Sequence, residues 1–153
     1  SDLKDLENRI KQNEEESRAA GVRSKAEAEA IEKIIAEHPF DIPKARIKQY
    51  VEFRQKQMGS QPGQLSEQDN AALQQEADLY LKRYRIIEQN SKKEKIKASQ
   101  EEVDQKITEL GQQNGMEFDT LKASLRQSGR INDLREEIKN RKTLDFILGI
   151  EQT

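Results

Sequence analysis

The sequence predicts an all-α protein of long, thin, solvent-laced helices, and three observations carry that reading. Charged residues make up 37% of the 153, and apolar residues 33%, where globular chains average about 25% and about 45–50%. No segment keeps large apolar and polar residues alternating for the length of a strand, so a half-buried sheet has no foothold. Apolar residues return instead at helical spacing. The net charge is −2, so opposite charges balance and self-repulsion is weak.

Leu3, Leu6 and Ile10 give the first helix a short apolar stripe. Lys11 to Arg18 carries no apolar residue, and that turn and a half should be wet. Gly21 marks a kink or break. Ala26, Ala28, Ala30, Ile31, Ile34 and Ile35 rebuild a helix with a small-residue side. His38-Pro39-Phe40-Asp41-Ile42-Pro43 is the clearest punctuation: Pro39 moves His38 out of the helical region, and Pro43 suits the first position of the next helix. Ile47, Tyr50, Val51, Arg54 and Met58 form the stripe of that second helix. Gly59 to Gln64 reads as a flexible loop of turn formers.

Ser66, followed by Glu67 and Asp69, opens a helix over about residues 66–91. Leu73, Ala77, Tyr80, Tyr84 and Ile87 share one face, and Leu79 and Ile86 fall seven apart on nearly the opposite face. A helix with two apolar stripes touches partners on two sides, which places it centrally; at ~1.5 Å per residue it runs roughly 40 Å. Lys92 to Lys97 breaks the pattern. Ser99 and Glu102 then form a capping box for a helix with Val103, Ile107 and Leu110 on its stripe, ended by Gly115. Glu117 or Asp119 starts a short helix carrying Leu121 and Leu125 and stopping at Gly129. The last helix begins near Asn132 or Asp133. Ile131, Leu134 and Ile138 define its first stripe, while Leu144, Ile147 and Leu148 lie on another side and dock elsewhere.

Composition excludes most catalytic chemistry. With no cysteine there is no disulfide frame, thiolate nucleophile or Cys-ligated metal. A single histidine, His38, leaves no His-based zinc site and no basis for a catalytic triad; at a helix end it suits the terminal carbonyls. Glu14, Glu15 and Glu16 point in different directions around a helix and make a poor cation cage. No Gly-rich phosphate loop or strained nucleophile elbow is present, so no enzyme activity and no cofactor is expected. No run approaches the roughly 18 apolar residues of a membrane span, and no basic-then-apolar leader opens the chain. The abrupt helical start leads us to expect a fragment of a longer protein, and residues 1–153 are read as one helical domain. Lys82, Arg83, Arg85, Lys92, Lys93, Lys95 and Lys97 cluster near Tyr80 and Tyr84, an arrangement open to RNA contact or to a charged helix end. The acidic pI near 5.7 favours the latter.

Several apolar residues fall off the helix stripes or at loop tips: Phe53, Met58, Leu79, Ile86, Met116 and Phe118, with Leu65 beside them. In so apolar-poor a chain each should face another helix or a ligand surface. Methionine suits adaptable binding because its side chain is flexible and polarisable.

Phe40-Asp41-Ile42-Pro43-Lys44-Ala45, with Ile47 following, resembles the signature of the C-terminal domain of trigger factor, the ribosome-associated bacterial chaperone. Lys95 to Val103 is similar to a second motif of that family, and Leu144-Asp145-Phe146-Ile147-Leu148 to its closing motif. The resemblance covers nearly the whole chain, and the order and spacing of the pieces give it weight. Tyr84 and Ile87 are bulkier than the small residue usual in the family's arm helix, and Gly149 to Thr153 replaces its usual ending. The family's Gly-Phe-Arg ribosome-docking loop and its β-rich prolyl-isomerase domain have no counterpart in the sequence.

The resemblance implies an elongated, multi-helix all-α domain with a central body and two protruding arms, forming a cradle for unfolded or nascent polypeptide without ATP. It implies a cytoplasmic protein that reaches the ribosome only through domains this sequence lacks, with no DNA or membrane partner, and it is compatible with a weak homodimer. On this reading Phe53, Met58, Leu79, Ile86, Met116 and Phe118 contribute to the client surface. Asn114-Gly115-Met116-Glu117-Phe118-Asp119 with Leu121 is also similar to the helical domain of periplasmic parvulin-associated chaperones. A structural spacer, whose apolar stripes meet only its own helices, is the remaining alternative.

Overall fold

The computed structural model describes residues 2–59 and 64–150. Six α-helices follow one another, with no strand among the described residues: α1 (Asp2–Glu37), α2 (Lys44–Gln57), α3 (Glu67–Lys93), α4 (Gln100–Asn114), α5 (Phe118–Gln127) and α6 (Arg130–Leu148). The chain divides into two compact units, Ser1–Asp41 and Ile42–Thr153.

The first unit is essentially α1, whose 36 residues run roughly 54 Å at ~1.5 Å each. The helix passes through Gly21 without the expected break. An exposed glycine costs a helix only about 1 kcal/mol, and pairs one turn apart line the segment just after it: Arg23 Nε lies 2.8 Å from Glu27, and Lys25 Nζ lies 3.9 Å from Glu29. The backbone N–H of His38 donates to Ile34 O at 2.9 Å, the last turn before Pro39.

In the second unit α3 packs against α2 and also against α6, and α4, α5 and α6 pack on one another. Two cores result. Val51, Leu73 and Ala77 are buried between α2 and α3, with Ile47, Tyr50 and Leu65 against them. Val103, Ile107, Ile131 and Leu134 are buried between α4 and α6, with Leu110, Phe118, Leu121, Leu125 and Ile138 around them. These are the stripes the periodicity picks out. Burying one such side chain contributes about 1.5–3 kcal/mol.

The helix ends are built as their sequences direct, with two shifts. Asp69 N–H donates to Ser66 Oγ at 3.1 Å, the cap of α3. Ser99 and Glu102 complete the capping box of α4: Glu102 N–H donates to Ser99 Oγ at 3.1 Å, and Ser99 N–H donates to a Glu102 carboxylate oxygen at 2.7 Å. Gly115, at φ 64°, closes α4, and Met116 N–H returns to Gly111 O at 2.8 Å. Pro43 caps α2 rather than occupying its first turn. Gly129 caps α6, which therefore starts at Arg130, just before Asn132 and Asp133. α3 ends without glycine. Lys95 takes the left-handed conformation at φ 53°, so that Lys95 N–H reaches Lys92 O at 3.3 Å and Ile96 N–H reaches Ser91 O at 2.9 Å. That double return is the Schellman closure, with lysine where glycine is usual. The expected loop at Gly59 to Gln64 lies largely outside the described residues.

Candidate functional site

α2 and α3 run antiparallel, since Tyr50 faces Tyr80 while Arg54 faces Glu76. The two tyrosine rings have centroids 4.9 Å apart and are tilted by 34°. Glu76 sits between two residues of α2: Tyr50 Oη donates to it at 3.2 Å, and Arg54 Nε lies 3.3 Å away. That nitrogen is buried and too poorly aligned for a hydrogen bond, so its interaction with Glu76 is a charge contact. Burial first, and then the bond to Glu76, holds the Tyr50 hydroxyl above its ordinary titration range.

This clamp fixes the register and leaves an apolar remainder at the surface. Phe53 is 57% exposed and Met58 59% on or beside α2, and Leu79 54% on α3; at the end of α4, Met116 is 41% exposed. The other two expected site residues are not available in this way. Ile86 is only 3% exposed. It lies in the half of α3 that approaches α6, where Glu88 feels the charge of Lys139. The back stripe of α3 is therefore divided, with Leu79 outside and Ile86 inside. Phe118 is half-buried against the Val103–Leu134 core, with Lys122 Nζ 4.8 Å above its ring centre. Lys122 also pairs with Asp104 at 2.8 Å, which draws the Asp104 carboxyl below its ordinary range.

Tyr80 and Tyr84 share a face with the buried Leu73 and Ala77 but are themselves exposed. Leu3, Leu6, Ile10 and Val22 on α1, and Phe146 and Ile150 at the end of α6, are further exposed apolar side chains. The spacing of Leu3, Leu6 and Ile10 defines a stripe without saying what it faces.

Two of the basic residues in the stretch from Lys82 are answered by their own helix. Lys82 pairs with Asp78 at 2.7 Å and Lys92 with Glu88 at 2.8 Å, each four residues earlier. The second pair lowers the Glu88 titration and raises that of Lys92. A shallow hollow of about 470 Å³ beside them is lined by Pro43, Arg46, Tyr84, Arg85, Glu88 and Lys92, among others. Its charged lining is Arg46, Arg85 and Lys92 with Glu88, and the last two pair with each other.

Among the described residues no three acidic or histidine side chains are grouped to hold a metal ion, and no helix is long and apolar enough to cross a membrane. What the geometry offers is dispersed, exposed apolar side chains set among paired charges on rigid helices.

Comparison with known proteins gives this surface its context. The family described as bacterial trigger factor protein C-terminus matches residues 2–149. The chain belongs to the trigger factor C-terminal family. Trigger factor of Listeria monocytogenes serotype 4a (strain HCC23) is 26% identical over 160 residues, which cover 95% of this chain and 37% of that protein. Trigger factor of Koribacter versatilis is 23% identical over 154 residues, 94% of this chain and 35% of that protein. That of Natranaerobius thermophilus is 34% identical over 71 residues, 46% of this chain and 16% of that protein. The chain thus spans little more than a third of the first two relatives. No solved structure gives a significant match. Membership in the family supports a chaperone role, and the matched part is the non-enzymatic C-terminal domain, not the prolyl-isomerase domain.

Proposed function

We propose that this domain holds unfolded or nascent polypeptide, without ATP, through Phe53, Met58, Leu79 and Met116. The observation that carries the reading is the exposure of these four side chains in a chain with only 33% apolar residues, where a structural spacer would have little reason to leave them in water. A client segment that covers about 100 Å² of apolar surface gains roughly 2.5 kcal/mol at ~25 cal/mol per Å², and ordering costs remove part of it. One contact is therefore weak, and several together hold a client reversibly. Charged residues between the apolar spots limit self-association. Ile86 and Phe118 support the surface from beneath rather than touching the client.

Residues 1–153 act, on this reading, as one chaperone module of a cytoplasmic protein whose ribosome contact and prolyl-isomerase activity belong to other domains. The family assignment favours this over the periplasmic alternative. The test is a variant with Phe53, Met58, Leu79 and Met116 all changed to serine. It should keep its helical circular dichroism and lose most of its suppression of aggregation of a chemically denatured client. Undiminished suppression by a folded variant would overturn the assignment of these four residues.

A further inference from the structure

A second surface lies away from these four residues, where the end of α3 and the start of α4 meet the end of α6. Lys95, Ile96, Lys97, Lys142, Phe146, Gly149 and Ile150 line a hollow of about 610 Å³, within the range of about 300–1,000 Å³ that ligand sites occupy. Phe146, 50% exposed, and Ile150, 47% exposed, give it an apolar side together with Ile96. Its charged lining is wholly lysine, in a protein of net charge −2. Lys142 is engaged, donating to Lys97 O at 2.9 Å and pairing with Glu102 at 2.7 Å. Lys95 and Lys97 form no ion pair among the described residues and are exposed.

The walls are fixed by backbone bonds. On one side Ile96 N–H is tied to Ser91 O at 2.9 Å; on the other Ile150 N–H is tied to Asp145 O at 2.9 Å and Gly149 N–H to Phe146 O at 3.1 Å. The Lys142 bond to Lys97 O straps the two walls together. Lys95 holds the left-handed conformation at this wall, one that costs a non-glycine residue of order 1 kcal/mol. A glycine would close α3 without that strain and without a cation beside the hollow.

Resting on the reading of the domain as a polypeptide holder, we infer that this hollow takes a client segment in which a large apolar side chain is flanked by aspartate or glutamate. The apolar side chain sits on Phe146 and Ile150, and its acidic neighbours meet Lys95 and Lys97. The module would then combine an apolar surface indifferent to charge with one that selects acidic flanks.

The experiment is fluorescence anisotropy with two labelled peptides that share a Leu-Phe-Leu centre, one flanked by glutamates and the other by lysines. The acidic peptide should bind about tenfold more tightly. Lys95→Glu with Lys97→Glu should abolish the preference, and Lys97→Glu alone should reduce it, in case the double variant folds poorly. Phe146→Ser should weaken the acidic peptide severalfold, while the fourfold serine variant should keep the preference. Equal affinity for the two peptides, or a preference that Lys97→Glu leaves undiminished, overturns the inference. So does an acidic peptide or a single-stranded RNA oligomer that depends on the lysines but not on Phe146, because the site would then be a plain polyanion attractor. Aggregation suppression by the same wild-type protein separates the two levels: clients held with no acidic preference sink this inference alone, and clients not held sink the proposed function. The anisotropy reads the hollow in either case.

Discussion

Replacing Gly111 by alanine should destabilise the second unit, although helix propensity argues the reverse. Alanine is favoured over glycine in a helix interior by about 1 kcal/mol, so the exchange in α4 would ordinarily strengthen the helix. Gly111 is buried, and a Cβ there would stand 2.7 Å from Met116 O, where ordinary contact begins at 3.4 Å. That oxygen is backbone, and the same residue's N–H is bound to Gly111 O at 2.8 Å, so the α4–α5 turn must move as a whole. Overpacking of this kind costs about 1–3 kcal/mol, and a strained turn bond adds to it. The net expectation is a loss of about 1 kcal/mol or somewhat more. With a urea slope of about 1–3 kcal/mol per M, the midpoint read by circular dichroism should fall by roughly 0.5 M. Gly21→Ala is the control, since nothing lies within 4 Å of a Cβ there; amide exchange in α1 should slow by up to about fivefold, the equivalent of about 1 kcal/mol. If Gly111→Ala raises the urea midpoint, the close approach of the two backbone segments is wrong, and with it the placement of Met116.

Two further substitutions test the helix ends. Lys142 first, and then the backbone of Ser99, hold the Glu102 carboxyl below its ordinary range. A carboxylate with a depressed value contributes stability that is present above its unfolded value, 4.5 for glutamate, and is lost as pH falls through the folded value. Glu102→Gln can keep the capping box but loses the charge pair, so it should cost at most about 1 kcal/mol at neutral pH. It should also flatten the acid limb of a urea-midpoint profile below pH 4.5; an unchanged limb would show that Lys142 does not stabilise this end. Lys95→Gly relieves the left-handed lysine at the end of α3 and should raise the thermal midpoint by the equivalent of about 0.5–1 kcal/mol, whereas a lower midpoint would mean that the lysine side chain stabilises more than its backbone costs.

The parts of this fold that could be read from the sequence are those governed by local rules. Ser66, the Ser99–Glu102 box and Gly115 do at their helix ends what their chemistry allows, and Val103, Ile107, Ile131 and Leu134 meet in the core their spacing defines. The misreadings arise where a local preference is weak against its surroundings. Gly21 disfavours helix by an amount that neighbouring turns and i,i+4 pairs override. Ile86 and Leu79 occupy equivalent places on one stripe, and periodicity cannot say that one half of α3 has company on that side and the other does not. Lys95 carries no sign of its left-handed backbone, because glycine is the residue that advertises it. Phe146 and Lys97 lie far apart in the chain, so the hollow they line exists only once α6 has docked.

The linear order of packing in the second unit has a consequence of its own. α2 touches α3, α3 touches α6, and α6 closes with α4 and α5; among the described residues no other pairing bridges the two cores. They communicate through one rod, and nothing laps around it to force them to melt together. Losing turns near Met58 need not disturb Ile107, and a swap beside Val51 should simply sum with one beside Leu134. Such modular give lets one end of the unit loosen while the other keeps its shape.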